Sequence, residues 1–315
     1  YIYADGNNMG QYIRDQIKTP EDYQRFSRDI FEATEQSVYW ALAHYVHPHL
    51  YQPDAKSSRD NKNKKVWIHP FEIITIGGDD VLLVVPANTA LRVAHAIGQR
   101  FEQILQEKAD DGKPRYSIDE PIPDDAQSCH RYYQPEQTLQ SECCLSISSG
   151  VLITAANTPI YYADKLVSQL LKSAKKKAKA LRDKSYYGGT VDVLTLKAVT
   201  MISSDIESFR QEGLTVRLRS SDRDQTLKLY ASPYTLHELN GLIKTVAAVK
   251  QTEFPKSQLY QIRTLLERGK RTAILNYRYF RTRLKSDNRI HLEEEFEKPW
   301  CNAETNNGNL APWLK

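Results

Sequence analysis

Four residues, Gly77-Gly78-Asp79-Asp80, stand between two apolar runs, Ile73-Ile74-Thr75-Ile76 and Val81-Leu82-Leu83-Val84-Val85. Nothing else in the chain constrains the fold as much. Two β-rich runs joined by a glycine-containing turn read as a hairpin. Apolar residues on both sides of the turn predict central, buried strands. A rigid strand pair then aims the exposed turn and its two carboxylates in one direction.

The remaining pattern of residues 1–198 alternates short apolar runs with helical stretches. Tyr1 to Asp5 predicts a strand, Glu21 to His47 a long amphipathic helix, and Ala87 to Gln106 a second helix. Cys144 to Thr154 predicts a further strand, Pro159 to Asp183 a helix, and Thr190 to Leu196 a last strand. Asp54 to Lys65 and Asp110 to Gln140 are polar and predict loops, the second an insertion. The order β-α-β-β-α-β, with an added helix and strand, predicts an α+β fold with a ferredoxin-like sheet and helices on one face.

Beyond residue 198 the texture changes. One strand-like stretch, Leu214 to Tyr230, precedes helices expected from Pro233, from Pro255 and from Thr272. The Glu293-Glu294-Glu295 run reads as solvated. The expectation is two domains: a palm-like unit at 1–198 and a mostly helical C-terminal domain at 199–315. Tyr1-Ile2-Tyr3 reads as a strand already under way, which suggests a piece of a longer chain.

Composition narrows the class. With 40% hydrophobic and 26% charged residues, the chain has the balance of a soluble globular protein. No stretch of about 18 apolar residues exists, so no membrane span is expected. Cys129, Cys143, Cys144 and Cys301 form no CxxC pair, which suggests a reduced, cytoplasmic protein. Adjacent cysteines such as Cys143-Cys144 are poor joint ligands of one tetrahedral zinc. The net charge of +4 is too mild to argue for nucleic acid.

Carboxylate placement argues more. Nucleotidyl transfer uses two divalent ions roughly 3.5–4 Å apart to clamp attacking and leaving oxygens. Mg2+ prefers carboxylate oxygen, completed by phosphate and water. Asp5 at the end of the first strand, with Asp79 and Asp80 on the turn, is such a donor set and the expected catalytic centre. Gly6 would let the backbone turn close to the ion, and Asn8, Gly77 and Gly78 would border the nucleotide. A plain hairpin with an Asp-bearing turn is the structural alternative.

The helix ending near Asp183 carries seven basic residues from Lys172 to Lys184, against Asp183 alone. Lys172, Lys175 and Lys179 share one helical face and could meet a triphosphate. A solvated basic face, or a nonspecific RNA patch, is the bland reading. Ser146-Ile147-Ser148-Ser149-Gly150 sets hydroxyls and a glycine in a core strand, which admits a group close to the backbone. A nucleotide base is one such group, and a strand with tolerated serines is the other reading.

Asp5-Gly6-Asn7-Asn8-Met9-Gly10, the Gly77–Asp80 turn, Ser149-Gly150-Val151 and Leu170-Leu171-Lys172-Ser173-Ala174-Lys175 resemble, in order, the catalytic palm of the type III CRISPR large subunit. Residues 199–315 resemble the helical C-terminal domain of that family. The resemblance implies an RNA-guided antiviral effector complex, with other subunits, crRNA and target RNA as partners. It implies ATP as substrate, Mg2+ or Mn2+ as cofactor, and cyclic oligoadenylates as products. Asp5, Asp79 and Asp80 would hold the metals, Lys175 the triphosphate, and Ser148 or Ser149 would lie by the adenine. Many members carry Asp at the position of Asn7. Two further readings are a noncatalytic scaffold subunit and a diguanylate-type cyclase, although Val81 follows Asp80 where the latter needs a second acid.

Overall fold

The computed structural model describes all residues except 52–64, 111, 119–128, 134–141, 197–204, 220–223, 252–254, 267, 269 and 301–315. Strand β1 (Ile2–Asn7) leads through α1 (Met9–Gln16) to α2 (Pro20–Tyr45). Helix α2 begins where the chain dictates it. Thr19 accepts from the Asp22 N–H and the Asp22 carboxylate accepts from Thr19 N–H, a reciprocal cap ahead of Pro20. A short ribbon of β2 (His49–Tyr51) and β3 (Val66–Ile68) precedes β4 (Glu72–Gly77), β5 (Asp80–Val84) and α3 (Ala90–Gln106). Two-residue strands β6 (Ala109–Asp110) and β7 (Lys113–Pro114) pair before β8 (Ser146–Ile153), α4 (Ile160–Arg182) and β9 (Thr190–Thr195).

Helix α5 (Ile206–Gly213) then leads to the hairpin β10 (Thr215–Arg219) and β11 (Asp224–Lys228). After β12 (Tyr234–Thr235) the chain is helical: α6 (Leu236–Gln251), α7 (Lys256–Leu266), α8 (Lys270–Arg283) and α9 (Ser286–Leu292). A π-helical turn at Glu293–Glu297 and α10 (Lys298–Trp300) follow. The proposed division near residue 199 lies outside the described residues. The later segment nonetheless supplies β12, the outermost strand beside β9.

One mixed sheet, ordered β12-β9-β8-β1-β5-β4, organises the fold. Side chains alternate along β1: Ile2 and Ala4 enter the core beneath α2 and α3, while Tyr1 and Tyr3 pack on the α4 side. The first core joins Val81, Leu83, Ile147 and Val151 to Phe26, Ile30, Val38, Val93, Ile97 and Phe101. The second joins Leu82, Leu152 and Leu194 to Leu166, Val167 and Leu170 of α4. Helices thus cover both faces, which corrects the one-face expectation; the added helix α4 has an apolar stripe of its own to bury.

The hairpin strands also differ from expectation. β4 is the sheet edge rather than a central strand, and Ile74 is 42% exposed. The register passes from Ile73↔Leu83 to Thr75↔Leu82, so Ile74 is the extra residue of a bulge. That one-residue insertion lets both Ile73 and Ile76 pack on the core despite their odd spacing.

The segment expected to be a polar insertion is anchored as well. Tyr116 is fully buried against Tyr12 and Phe26, and its hydroxyl donates to Asp29 at 2.8 Å. Arg115 also pairs with Asp29, so the buried carboxylate of α2 is satisfied. The acidic run is open to water as expected, with Glu293 paired to Arg281 at 3.0 Å, while Glu297 beyond it is buried and accepts from Tyr277 at 2.8 Å.

Candidate active site

β1 runs two residues past Asp5, to Asn7, and the chain turns at Asn8, whose φ of 68° lies in the left-handed region. Asp5 therefore sits inside a strand, not at its end. By alternation Tyr3, Asp5 and Asn7 share the face that α4 covers. Across the sheet, Gly77 and Asp80 close the β4–β5 pair, with Gly78 at φ 65° and Asp79 at the tip. Asp79 is half-buried, while Gly77, Gly78 and Asp80 are exposed.

Gly6 brings these two elements together. A Cβ on Gly6 would stand 2.5 Å from Asp79 Oδ2 and 2.5 Å from Met9 Cε. The missing side chain therefore admits a carboxylate, whereas the expected role was a backbone turn. Asp79 lies against the strand that carries Asp5, and the two charges feel each other. Burial first, then the Asp5 carboxylate, raise the pKa of Asp79; the same two causes raise that of Asp80. Lys175 acts against both shifts.

Lys175 reaches down from α4 and donates to Asp5 Oδ2 in an ion pair. Thus the structure brings Asp5, Asp79, Asp80, Gly6 and Lys175 into one place. Lys172 lies one turn earlier on the same helix and is exposed. Asn8 is the N-cap of α1 and makes no side-chain cap bond there.

Ser148 and Ser149 are not brought to that surface. Ser148 is 0% exposed and accepts from Asn7 Nδ2 at 2.8 Å and from Thr190 N–H at 3.1 Å. Its Oγ lies 3.3 Å from Thr190 Oγ1, which itself donates to Ala174 O at 2.7 Å. Thr190 has given its proton to α4, so Ser148 donates to Thr190. One donation and two acceptances fill a hydroxyl. Ser149 is buried on the opposite face, beside Ile147 and Val151. Gly150 has its own reason: an added Cβ would meet Val167 O at 2.5 Å and Leu171 N at 2.6 Å. The group that approaches its backbone is α4, not a nucleotide base.

Two contributors escaped the sequence reading. Asn7 donates to Ser146 as well as Ser148, tying β1 to β8 beside Asp5. Tyr3 is close enough for Asp80 and Asp5, after burial, to raise its pKa. Period-two spacing from Asp5 would have found both.

As a donor set, three carboxylates suit a hard divalent cation. Among the described residues, however, no three His, Cys, Asp or Glu side chains are grouped closely enough to hold a metal ion. One ammonium stands against Asp5 instead. The same statement covers Cys129 and Cys143, which are buried in separate clusters.

Residues 1–122 match the family model of the Cas10/Cmr2 second palm domain. Over those residues the chain is similar to a Cas10-type palm, which agrees with the resemblance of the sequence motifs to the type III CRISPR large subunit. The match takes in Asp5 and the Gly77–Asp80 turn and ends before β8 and α4, so Lys175 lies beyond it. No curated protein matches the chain. Among the described residues no helix is long and apolar enough to cross a membrane.

Proposed function

We propose that this chain is the nucleotidyltransferase unit of a type III CRISPR effector complex, joining ATP into cyclic oligoadenylates. The observation that carries the reading is the Lys175–Asp5 ion pair beside the Asp79–Asp80 turn, whose Asp79 carboxylate lies against Gly6 of the same strand as Asp5. Like charges crowded beside a half-buried turn cost stability unless a cation uses them. The antiparallel order β8-β1-β5-β4 supports a ferredoxin-like palm, because a split β-α-β-β-α-β unit makes that order. The C-terminal helices would meet other subunits, and crRNA and target RNA complete the expected assembly.

In this reading Asp5, Asp79 and Asp80 would hold Mg2+ or Mn2+, although their side chains as they stand are not grouped closely enough to do so. Two such ions, when bound, lower the charge on the attacking hydroxyl oxygen and on the departing pyrophosphate. The protein's own work is positioning. Gly6 lets Asp79 stand over β1, the Asn7–Ser148–Thr190 chain holds α4 over the sheet, and Lys175 and Lys172 offer point charges to a triphosphate. With Ser148 filled by internal hydrogen bonds, the choice of ATP falls to groups other than that hydroxyl.

The test is the double substitution Asp79→Asn with Asp80→Asn in the assembled complex, supplied with target RNA, Mg2+ and radiolabelled ATP. Product formation should drop by at least about a hundredfold while assembly is kept, in line with removing charge stabilisation at a reacting phosphate. Oligoadenylate made at the unaltered rate would leave the scaffold reading in its place. Linear or cyclic diguanylate from GTP would move the assignment to the diguanylate class.

A further inference from the structure

Charge is spread unevenly along this chain. Residues 256–289 carry ten Lys and Arg against Glu267 and Asp287, a local net charge of +8, whereas the whole chain is +4. The remainder is therefore net acidic. The basic block coincides with α7, α8 and α9. One sign of charge gathered on consecutive helices is the electrostatic footprint of a polyanion.

The packing of α8 decides which way that charge faces. Tyr277 and Phe280 are buried, the Tyr277 hydroxyl donates to Glu297 at 2.8 Å, and Arg281 pairs with Glu293 and Glu297. One arginine thus neutralises the acids of the π-helical turn, and the other face of α8 is left outward. That face carries Leu275, Arg278, Tyr279 and Arg283, all exposed. On α7, which packs along α8, Lys256, Tyr260 and Arg263 recur at four- and three-residue spacing and are exposed as well. Each helix therefore presents a tyrosine with a cation one turn away on the same face. Among the described residues, Lys256, Arg263, Arg268, Lys285 and Arg289 enter no ion pair.

The rings distinguish this face from a merely solvated basic one. Tyr260 is 60% and Tyr279 56% exposed, and the Arg283 guanidinium lies over the Tyr279 ring, 4.0 Å from its centroid. A cation stacked on a ring is a platform that extends to a nucleobase, since every base has a π face. An acidic peptide would use the arginines and leave the rings idle. In a nucleic acid the phosphates take the cations and the bases take the rings, provided the bases are unpaired and can be splayed out. We propose that the outer face of α7 and α8, followed in the chain by Lys285 and Arg289, binds single-stranded RNA through its phosphates and by stacking on Tyr260 and Tyr279, with little regard to sequence. The choice of RNA rests on the reading of this chain as part of an RNA-guided effector complex. The surface itself needs no chemistry at the carboxylates of the sheet.

The experiment is fluorescence anisotropy of a labelled, unstructured RNA of about 20 nucleotides, titrated with the full chain in EDTA so that no metal contributes. Arg263→Gln/Arg283→Gln/Arg289→Gln should weaken binding about tenfold or more. It should also flatten the fall of log affinity with log salt by about 2, as the loss of about three phosphate contacts requires. Tyr260→Leu/Tyr279→Leu should weaken binding about tenfold with the salt dependence kept, while Tyr260→Phe/Tyr279→Phe retains the rings and should stay within about twofold of wild type. Duplex RNA and polyglutamate should compete poorly. No binding by wild type, equal competition by polyglutamate, or full affinity in Tyr260→Leu/Tyr279→Leu would overturn the stacked strand. Tighter binding of single-stranded DNA of the same sequence would overturn the choice of RNA. Asp79→Asn/Asp80→Asn should bind RNA as wild type does, which separates this surface from the carboxylate site. The inference then stands even if the complex joins no ATP, and it falls if that double variant loses the RNA. Circular dichroism of each variant confirms that folded chains are compared.

Discussion

Asn7 donates its side-chain amide to Ser148 at 2.8 Å across the β1–β8 pair, two residues from Asp5. The bond is the first link of a chain that continues through Thr190 to the carbonyl of Ala174, the neighbour of Lys175 in α4. Strand β1, which carries Asp5, and helix α4, which carries its cationic partner, are thereby set at a fixed separation. All three polar side chains are buried, so each bond is made away from competing water.

Ser148→Ala should accordingly act on stability and not on base choice. It removes one of two partners of the Asn7 amide and leaves Thr190 N–H without its acceptor. Buried donors left unmade cost about 1–3 kcal/mol. The unfolding free energy from urea titration should fall by that amount, while the ratio of ATP to GTP analogue binding stays within about twofold of wild type. A changed ratio with an unchanged midpoint would return Ser148 to the nucleobase.

Gly6→Ala and Gly150→Ala should separate function from folding. At Gly6 the new methyl meets the far ends of Asp79 and Met9, which are flexible and can give way. Stability should change by less than about 1 kcal/mol, yet Asp79 is pushed off the site. A misplacement of about 1 Å at such a centre can cost roughly a hundredfold in rate. At Gly150 the methyl meets the backbone of α4, which cannot retreat without unpacking Leu170 and Val167. Overpacking there should cost about 1–3 kcal/mol or more. Thermal melts and ATP turnover measured on both variants decide the matter; equal loss of stability at the two sites would refute the distinction.

What could be read beforehand followed from periodicity and turn chemistry. Asp79 and Asp80 were legible because two glycines between apolar runs leave few alternatives to a hairpin. Asp5 and Lys175 were legible as residue types, but their ion pair was not, because contact across 170 residues depends on how α4 crosses the sheet. The edge position of β4 was hidden by its apolar composition: a bulge at Ile74 carries what alternation would otherwise have had to explain. Gly150 was recognised as a point of close approach, and only the packed structure identifies the neighbour as a helix. The triad of buried Asp29 and Tyr116 with part-buried Arg115 left no local signal, since its members come from a helix and from a segment whose polarity reads as loop.

Acid should weaken this fold well before its carboxylates are all protonated. His130, on the segment after residue 128, is sealed between Tyr186, His237 and Thr235. Its Nδ1 meets Thr235 Oγ1 at 2.9 Å, and no hydrogen-bond partner reaches its Nε2 among the described residues. Burial, aided by His237, pushes its pKa down to about 3, with Lys177 and Arg131 adding to the fall and Glu238 opposing it. Burial likewise brings His95 and His237 down to about 4, with Lys244 lowering both. In the unfolded chain each imidazole titrates near 6.5. Between that value and about 4 the unfolded chain binds more protons than the folded one, so stability falls as pH falls through this window. Asp79 and Asp80, whose pKa values are raised, act with the opposite sign, but they stand partly in water and are screened. The histidines should dominate, and the urea midpoint should drop steadily from pH 7 to pH 5. His130→Phe fills the same space without a titrating group and should flatten part of that slope. A midpoint that holds level or rises on acidification would show that the three imidazoles are not kept neutral by burial.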